Sequence, residues 1–149
     1  MSLLRRFTAA VTVSGLLLSG SAGCGIAGDS KVQKSSWQEP GAYAYTLEST
    51  EGNRALLGKF RIAVRDRHVA EAEGFDEYSR RVVTKMPQIV PTLGDLLREV
   101  EQVRNRNADI AEVTYAADGH PTQIVWDLDK DAVDDEAKYL ITAYEQVDQ

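Results

Sequence analysis

Apolar and polar residues alternate along several short stretches of this chain, and alternation with a period of two is typical of strands with one buried face. The clearest case is residues 59–65, where Phe60, Ile62 and Val64 are separated by residues suited to the solvent side. Weaker patterns of the same kind predict strands at residues 43–48, 68–73, 110–115, 122–128 and 139–145. The chain is therefore predicted to contain six strands.

One stretch has the spacing of an amphipathic helix. Its apolar positions recur every three or four residues, at Leu93, Leu96, Leu97, Val100 and Val103. Thr92 and Asp95 have the spacing of a capping box, which predicts the helix start. Its outer face is predicted to carry Arg98, Glu99, Glu101, Gln102 and Arg104. Residues 75–90 are ambiguous: a short helix over 77–83 fits, but the prolines at 87 and 91 favour a connection.

Two dipeptides predict tight hairpins, Asp66-Arg67 and Asp118-Gly119. Because short hairpins join antiparallel neighbours, the order of elements predicts an α+β fold. We expect a six-stranded antiparallel meander, with three strands before and three after one helix that packs on one face.

The N-terminal residues have the layout of an export signal. Arg5 and Arg6 precede an apolar run over residues 7–18, and small residues follow up to Cys24, the single cysteine. The run is shorter than the roughly 20 residues that a membrane-spanning helix needs. We expect residues 1–23 to be a cleaved signal peptide, residues 24–36 a lipid-attachment site with a flexible polar tether, and residues 37–149 one domain.

Two processing routes fit this segment. In the first, which resembles a bacterial lipobox, Ala22 and Gly23 precede a Cys24 that takes a lipid, although Ser21 stands where leucine is usual. In the second, the chain is simply secreted with a free thiol. We favour the first route because a lone thiol is a liability in an oxidising compartment. The chain would then be anchored by its N-terminal lipid to the outer face of the cell membrane.

Charge narrows the range of partners. The formal net charge is −6, and removal of the leader with its two arginines takes it to −8. An acidic surface is not attracted to nucleic acid or to anionic headgroups, so we expect neither as a partner. Membrane attachment would then depend on the lipid.

Four ordered segments carry a family resemblance: residues 43–49 (Tyr-x-Tyr-Thr-Leu-Glu-Ser), 58–66 (Gly-Lys-Phe-Arg-x-x-Val-Arg-Asp), 91–97 (Pro-Thr-Leu-x-x-Leu-Leu), and 113–124 (Val-Thr-Tyr-x-x-Asp-Gly-His-Pro-Thr-x-Ile) with 134–136 (Asp-Asp-Glu). The set resembles a family of bacterial lipoproteins, frequent in actinobacteria, that is catalogued as a domain of unknown function. The resemblance covers residues 37–144 and implies an exported α+β domain, without catalytic residues to carry over. Relatives often have cysteine within residues 49–52, where this chain has none.

The densest group of carboxylates is a weak calcium candidate. Asp127, Asp129, Asp131 and Asp135 have the spacing of the first ligands of a calcium loop. The sixth position should be glycine and is Ala132, and the twelfth should be glutamate and is Lys138. We expect a solvated acidic loop and no metal, with an irregular calcium site as an alternative.

Other candidates for catalysis are few. Glu71 and Glu73 share a strand face, but paired carboxylates need an apolar pocket around one member before they act as acid and base. His68 and His120 have no partnered nucleophile, and His120 is interpreted as a turn residue. No cofactor motif is present.

The aromatic residues, mostly tyrosine and tryptophan, fit either strand packing, which we favour, or a polar-edged binding face. We expect a non-enzymatic binding module with an unidentified protein or small-molecule partner. The alternatives are a secreted enzyme with an acid-based site, around Glu71 or the acidic loop, and a weak calcium-binding domain.

Overall fold

Three strands, two helices and three further strands follow one another in a computed structural model, which describes residues 37–52, 54–132 and 134–147. In chain order they are β1 (Ala42–Glu51), β2 (Gly58–Arg65), β3 (His68–Gly74), α1 (Glu77–Lys85), α2 (Leu93–Asn105), β4 (Ile110–Tyr115), β5 (Pro121–Asp127) and β6 (Glu136–Gln146). Short 3-10 helices occupy Arg54–Leu56 and Pro87–Ile89. None of the described helices is long and apolar enough to cross a membrane.

The six strands form one antiparallel sheet in the order β3-β2-β1-β6-β5-β4. This order confirms the predicted antiparallel α+β fold but differs from a single six-stranded meander. Two three-stranded meanders are joined through β1 and β6, the first and last strands. The segment between β3 and β4 contains both helices, so it is long enough to connect the two edges of the sheet.

Both predicted hairpins are present. Asp66 and Arg67 take φ angles of 52° and 60° between β2 and β3, as a type I′ turn requires. Gly119 takes a φ of 92° between β4 and β5, a conformation that glycine adopts at little cost. These turns match the right-handed twist of the strands that they join.

One face of the sheet carries the core. The predicted alternation holds: Tyr43, Tyr45 and Leu47 of β1 point to the same side as Phe60 and Ile62 of β2, and all are almost fully buried. We call this side the helix face. Residues of both helices belong to the same apolar cluster, with α1 against β2 and β3 and α2 against β4 and β5. The opposite side, the open face, carries charged pairs such as Lys59 and Glu48, 3.6 Å apart.

Helix α2 starts where the sequence predicts. The Thr92 hydroxyl accepts a hydrogen bond from the Asp95 amide at 3.1 Å, and the Asp95 carboxylate accepts one from the Thr92 amide at 2.8 Å. This reciprocal pair is the capping box. Leu93, Leu96 and Val100 are fully buried against the sheet.

The described residues contain two α-helices, whereas the sequence predicts one and leaves residues 75–90 open between a short helix and a connection. Helix α1 is capped by Asp76, whose carboxylate accepts hydrogen bonds from the amides of Ser79, at 2.8 Å, and Lys59, at 2.6 Å. Partial burial opposes ionisation of Asp76, but these amide hydrogen bonds outweigh it and lower its pKa. Pro87 follows the end of the helix. The segment therefore contains both the short helix and the proline-containing connection that the sequence leaves open.

Candidate functional site

The predicted lipid-attachment residue, Cys24, and the leader and tether around it lie outside the described residues. The structure therefore bears on the candidates in the domain only.

The acidic loop lies between β5 and β6. Asp129 accepts a hydrogen bond from the Asp131 amide at 3.0 Å, which is a local turn contact. The pKa of Asp127 is raised, by loss of hydration and then by repulsion from Asp135 and neighbouring carboxylates. Within the described ranges, no three ligand-type side chains are grouped so that they could hold a metal ion. The calcium candidates Asp127, Asp129, Asp131 and Asp135 thus include no such group there.

Of the paired glutamates, Glu71 lines a pocket of about 530 Å³ beside β3, together with His68, whereas Glu73 does not line it. Glu71 and Glu73 are exposed, and Glu73 lies opposite Arg61 in the pairing of β2 with β3. His68 is also exposed, with its Nδ1 2.7 Å from the backbone oxygen of Asp66 in the hairpin turn. All three residues are exposed positions on β3, which is an edge strand of the sheet.

An extra residue in β6 determines the direction of Tyr144. Between two pairs with β1, β6 advances three residues, from Thr142 to Glu145, where β1 advances two. Ala143 has a φ of 48° at this bulge. Because side chains alternate across a strand, the extra residue turns Tyr144 to the helix face, where its ring lies 5.8 Å from that of Tyr43.

Tyr144 forms the floor of a shallow pocket of about 400 Å³. We call it the aromatic pocket; its lining residues are Trp37, Gln38, Glu39, Pro40, Gly41, Arg67, Asp118, Tyr144 and Gln146. The Trp37 indole donates a hydrogen bond to the Tyr144 hydroxyl and meets the Tyr43 ring edge-on at 6.4 Å. The pocket therefore combines an aromatic floor with a rim that carries charges of both signs and amides.

His120 supports this floor from the β4–β5 hairpin. Its ring stacks on Tyr144 with centroids 4.1 Å apart, and its Nδ1 lies 2.6 Å from an Asp118 carboxylate oxygen. The His120 side chain is only 15% exposed. The sequence analysis interprets His120 as a turn residue; it directly follows the Asp118-Gly119 turn. Its packing on Tyr144 is not evident from the sequence because the two residues meet only through the β6 bulge.

A buried network fixes the pocket wall to helix α2. The Tyr43 hydroxyl donates to Glu39 Oε1 at 2.5 Å and accepts from the Leu93 amide at 2.9 Å. The Gly94 amide donates to the same Glu39 oxygen at 3.2 Å. Burial, and next the hydrogen bond to Glu39, raise the pKa of Tyr43, so its hydroxyl keeps its proton. Glu39 thus joins the N-terminal segment to the first turn of α2.

A second pocket, of about 340 Å³, lies beside helix α2. We call it the Glu99 pocket; its lining residues are Leu56, Ile89, Pro91, Asp95, Leu96, Arg98, Glu99, Gln102 and Tyr139. The buried Tyr139 donates its hydroxyl hydrogen bond to the Glu99 carboxylate. Burial raises the pKa of Glu99, and the hydrogen bond from Tyr139 opposes that shift.

The sequence places Glu99 on the outer, solvent-facing side of the helix, but in the structure Glu99 is half-buried, so that prediction is corrected. Glu99 is four residues before Val103 and three after Leu96, so it borders the apolar stripe. Its half-buried state follows from Tyr139, which approaches from β6. The helical spacing alone could have identified Glu99 as a boundary residue.

Comparison with known protein families identifies a match that covers most of the chain. A family model described as a family of unknown function, DUF6174, matches residues 29–146. No curated protein and no solved structure shows a significant match to the chain.

Proposed function

The chain belongs to DUF6174, a family of unknown function, and we propose that it is an exported binding module, without catalytic activity, held by a lipid on Cys24 at the outer face of the cell membrane. The matched segment begins at residue 29, so the signal-like leader and Cys24 precede the family domain. This separation supports a leader that is processed independently of the fold.

The single observation that carries the binding role is the aromatic pocket. Tyrosine and tryptophan are enriched where proteins contact partners, and the strongest anchors fill small pockets surrounded by polar rims. Trp37 and Tyr144 form such a centre, and Glu39, Arg67 and Asp118 provide charges around it. We propose that this pocket receives a side chain of a partner protein.

The proposed tether limits where that partner lies. Twelve residues, 25–36, separate Cys24 from Trp37. A fully extended segment of this length reaches about 40 Å, at roughly 3.4 Å per residue. A pocket that begins at Trp37 would therefore meet partners within about that distance of the membrane.

Photo-crosslinking in cells tests both parts of the proposal. A photoreactive residue replaces Gln38, on the exposed rim of the aromatic pocket, and in a matched strain replaces Gln123, on the open face of β5. We expect a protein adduct from position 38 and none from position 123, in the membrane fraction. Cys24→Ala should move the chain to the medium, whereas Ser21→Leu, which restores the usual lipobox residue, should leave it in the membrane.

The proposal can be contradicted at two separate points, the binding surface and the anchor. Equal adducts from positions 38 and 123, or none, would reject the aromatic pocket as the binding surface. A Cys24→Ala chain that stays with the membrane, or a wild-type chain without lipid mass on its first mature residue, would reject the anchor.

A further inference from the structure

The Glu99 pocket differs from the aromatic pocket in its residues and in its charge balance. Three charged side chains line it: Asp95, Arg98 and Glu99. The guanidinium of Arg98 forms an ion pair with Asp95 one turn earlier in the helix. Among the residues that the structure describes, Glu99 has no such cationic partner, so the pocket has one uncompensated carboxylate.

That carboxylate is held in a fixed place. The Tyr139 hydroxyl, at the end of an almost fully buried side chain, donates a hydrogen bond to it from the sheet side. One carboxylate has about four lone-pair positions, so acceptor capacity is left for a ligand. The side chain of Gln102, one turn along on the same pocket wall, offers a second acceptor through its amide oxygen.

The other lining residues include four apolar ones. Leu56 and Leu96 are buried and Ile89 is half-buried at the pocket wall, and Pro91 adjoins them. The volume of about 340 Å³ lies at the small end of the range of small-molecule pockets, about 300–1,000 Å³. A half-buried carboxylate beside apolar walls is poorly hydrated, and its charged form gains most from a cation that brings its own hydrogen-bond donors.

We propose that the Glu99 pocket binds a small primary amine with an apolar body. The ammonium group donates to the Glu99 carboxylate and the Gln102 amide oxygen, and the apolar body packs against Ile89, the half-buried apolar residue of the pocket wall. This site goes beyond the proposed binding role of the aromatic pocket and does not depend on it. A primary ammonium is preferred to a quaternary one because it supplies N–H donors for both acceptors.

Calorimetric titration of the full-length chain with a matched ligand pair tests this assignment. 2-Phenylethylamine is protonated at neutral pH, and 2-phenylethanol has the same size without the charge. We expect the amine to bind about tenfold more tightly than the alcohol, or better. Glu99→Gln should abolish that preference, while Glu112→Gln, the same charge change on the exposed part of β4, should preserve it.

Amide chemical shifts locate the site in the same samples. The amine should perturb the amides of Glu99 and Gln102 in α2 and of Tyr139 in β6, and leave those of β3 unchanged. Glutamine at position 99 can still accept the Tyr139 hydrogen bond, so the variant is expected to fold. The comparison of amine with alcohol on the wild-type chain needs no variant at all.

Three results would overturn the proposal. The first is no binding of the amine at millimolar concentration, and the second is equal binding of amine and alcohol. The third is an amine preference that survives in Glu99→Gln or disappears equally in Glu112→Gln.

Discussion

At the scale of single residues, the structure depends on polar groups that are buried but paired. Tyr43 is 1% exposed, yet its hydroxyl has a donor in Leu93 and an acceptor in Glu39. Tyr45, which is also buried, donates to the Pro91 carbonyl at 2.6 Å. Burying a hydroxyl is tolerable only when such partners replace water. The two tyrosine hydroxyls of β1 therefore link the sheet by hydrogen bonds to Glu39 in the N-terminal segment and to the start of α2.

Gly94 gives a test of the Glu39 contact. A Cβ on Gly94 would overlap the Glu39 carboxylate. In a helix, Gly→Ala ordinarily stabilises by about 0.5–1 kcal/mol. We expect Gly94→Ala to give no gain in the wild-type chain, because Glu39 must leave its partners, and to give the ordinary gain in a Glu39→Ala background. Urea unfolding of the four chains measures the difference, and additive effects would contradict it.

At the scale of elements, the bulge in β6 is what assembles the aromatic pocket. Ala143 holds a conformation that costs most L residues roughly 1–2 kcal/mol. The cost is offset on the open face, where Arg61 Nη1 donates to the Ala143 carbonyl at 2.7 Å and Nη2 lies 3.3 Å from Glu145. Arg61 lies on β2, two strands away from β6 in the sheet. It therefore stabilises the β6 bulge that turns Tyr144 to the helix face.

Substitution by glycine tests the strain at this bulge. Ala143→Gly should stabilise the chain by about 0.5–1 kcal/mol, because glycine accepts a positive φ without steric cost and this gain exceeds its entropy loss. Ala44→Gly in β1, at a position without a positive φ, is the matched control and should destabilise by about 0.5–1 kcal/mol. Thermal unfolding measures both. Loss of stability in Ala143→Gly equal to that of the control would show that the bulge is unstrained.

The elements that local pattern determines are the ones that the sequence predicts well. Six strands, the hairpin at Asp66-Arg67 and the cap of α2 at Thr92 all follow from residues within a few positions of one another. The pairing of β1 with β6 has no local signal, so the sheet order was missed. The same is true of the pockets: Tyr144 depends on a bulge, and Glu99 depends on Tyr139 approaching from another element.

At the scale of the whole molecule, stability and pH are linked through the partly buried carboxyl groups. Burial raises the folded-state pKa of Glu99 above that of an unfolded glutamate, about 4.3. The folded state therefore binds more protons than the unfolded state above that pH, and stability falls as pH rises through the folded pKa. Asp76 acts in the opposite sense, since its lowered pKa gives stability that is lost as pH falls below the unfolded value of about 3.9.

Urea unfolding at a series of pH values isolates the contribution of Glu99. Because glutamine does not titrate, we expect Glu99→Gln to gain in stability relative to the wild-type chain as pH rises from about 4.3 towards neutrality. Asp76 is present in both chains, so its contribution cancels in the comparison. Glu112→Gln is the charge-matched control, and curves for Glu99→Gln and the wild type that stay parallel throughout would contradict the assignment.

The order of strands places the beginning and the end of the domain side by side, with Tyr43 of β1 opposite Gln146 of β6. In each three-stranded meander the inner strand, β1 or β6, has one unpaired edge until the other meander is present. The sheet is therefore complete only when β6 pairs with β1. Contacts so distant in sequence make folding slow, because a long loop must close before they form. If the chain is exported from its leader onward, β1 would cross the membrane first and could not pair with β6 until the C-terminal strand had also crossed.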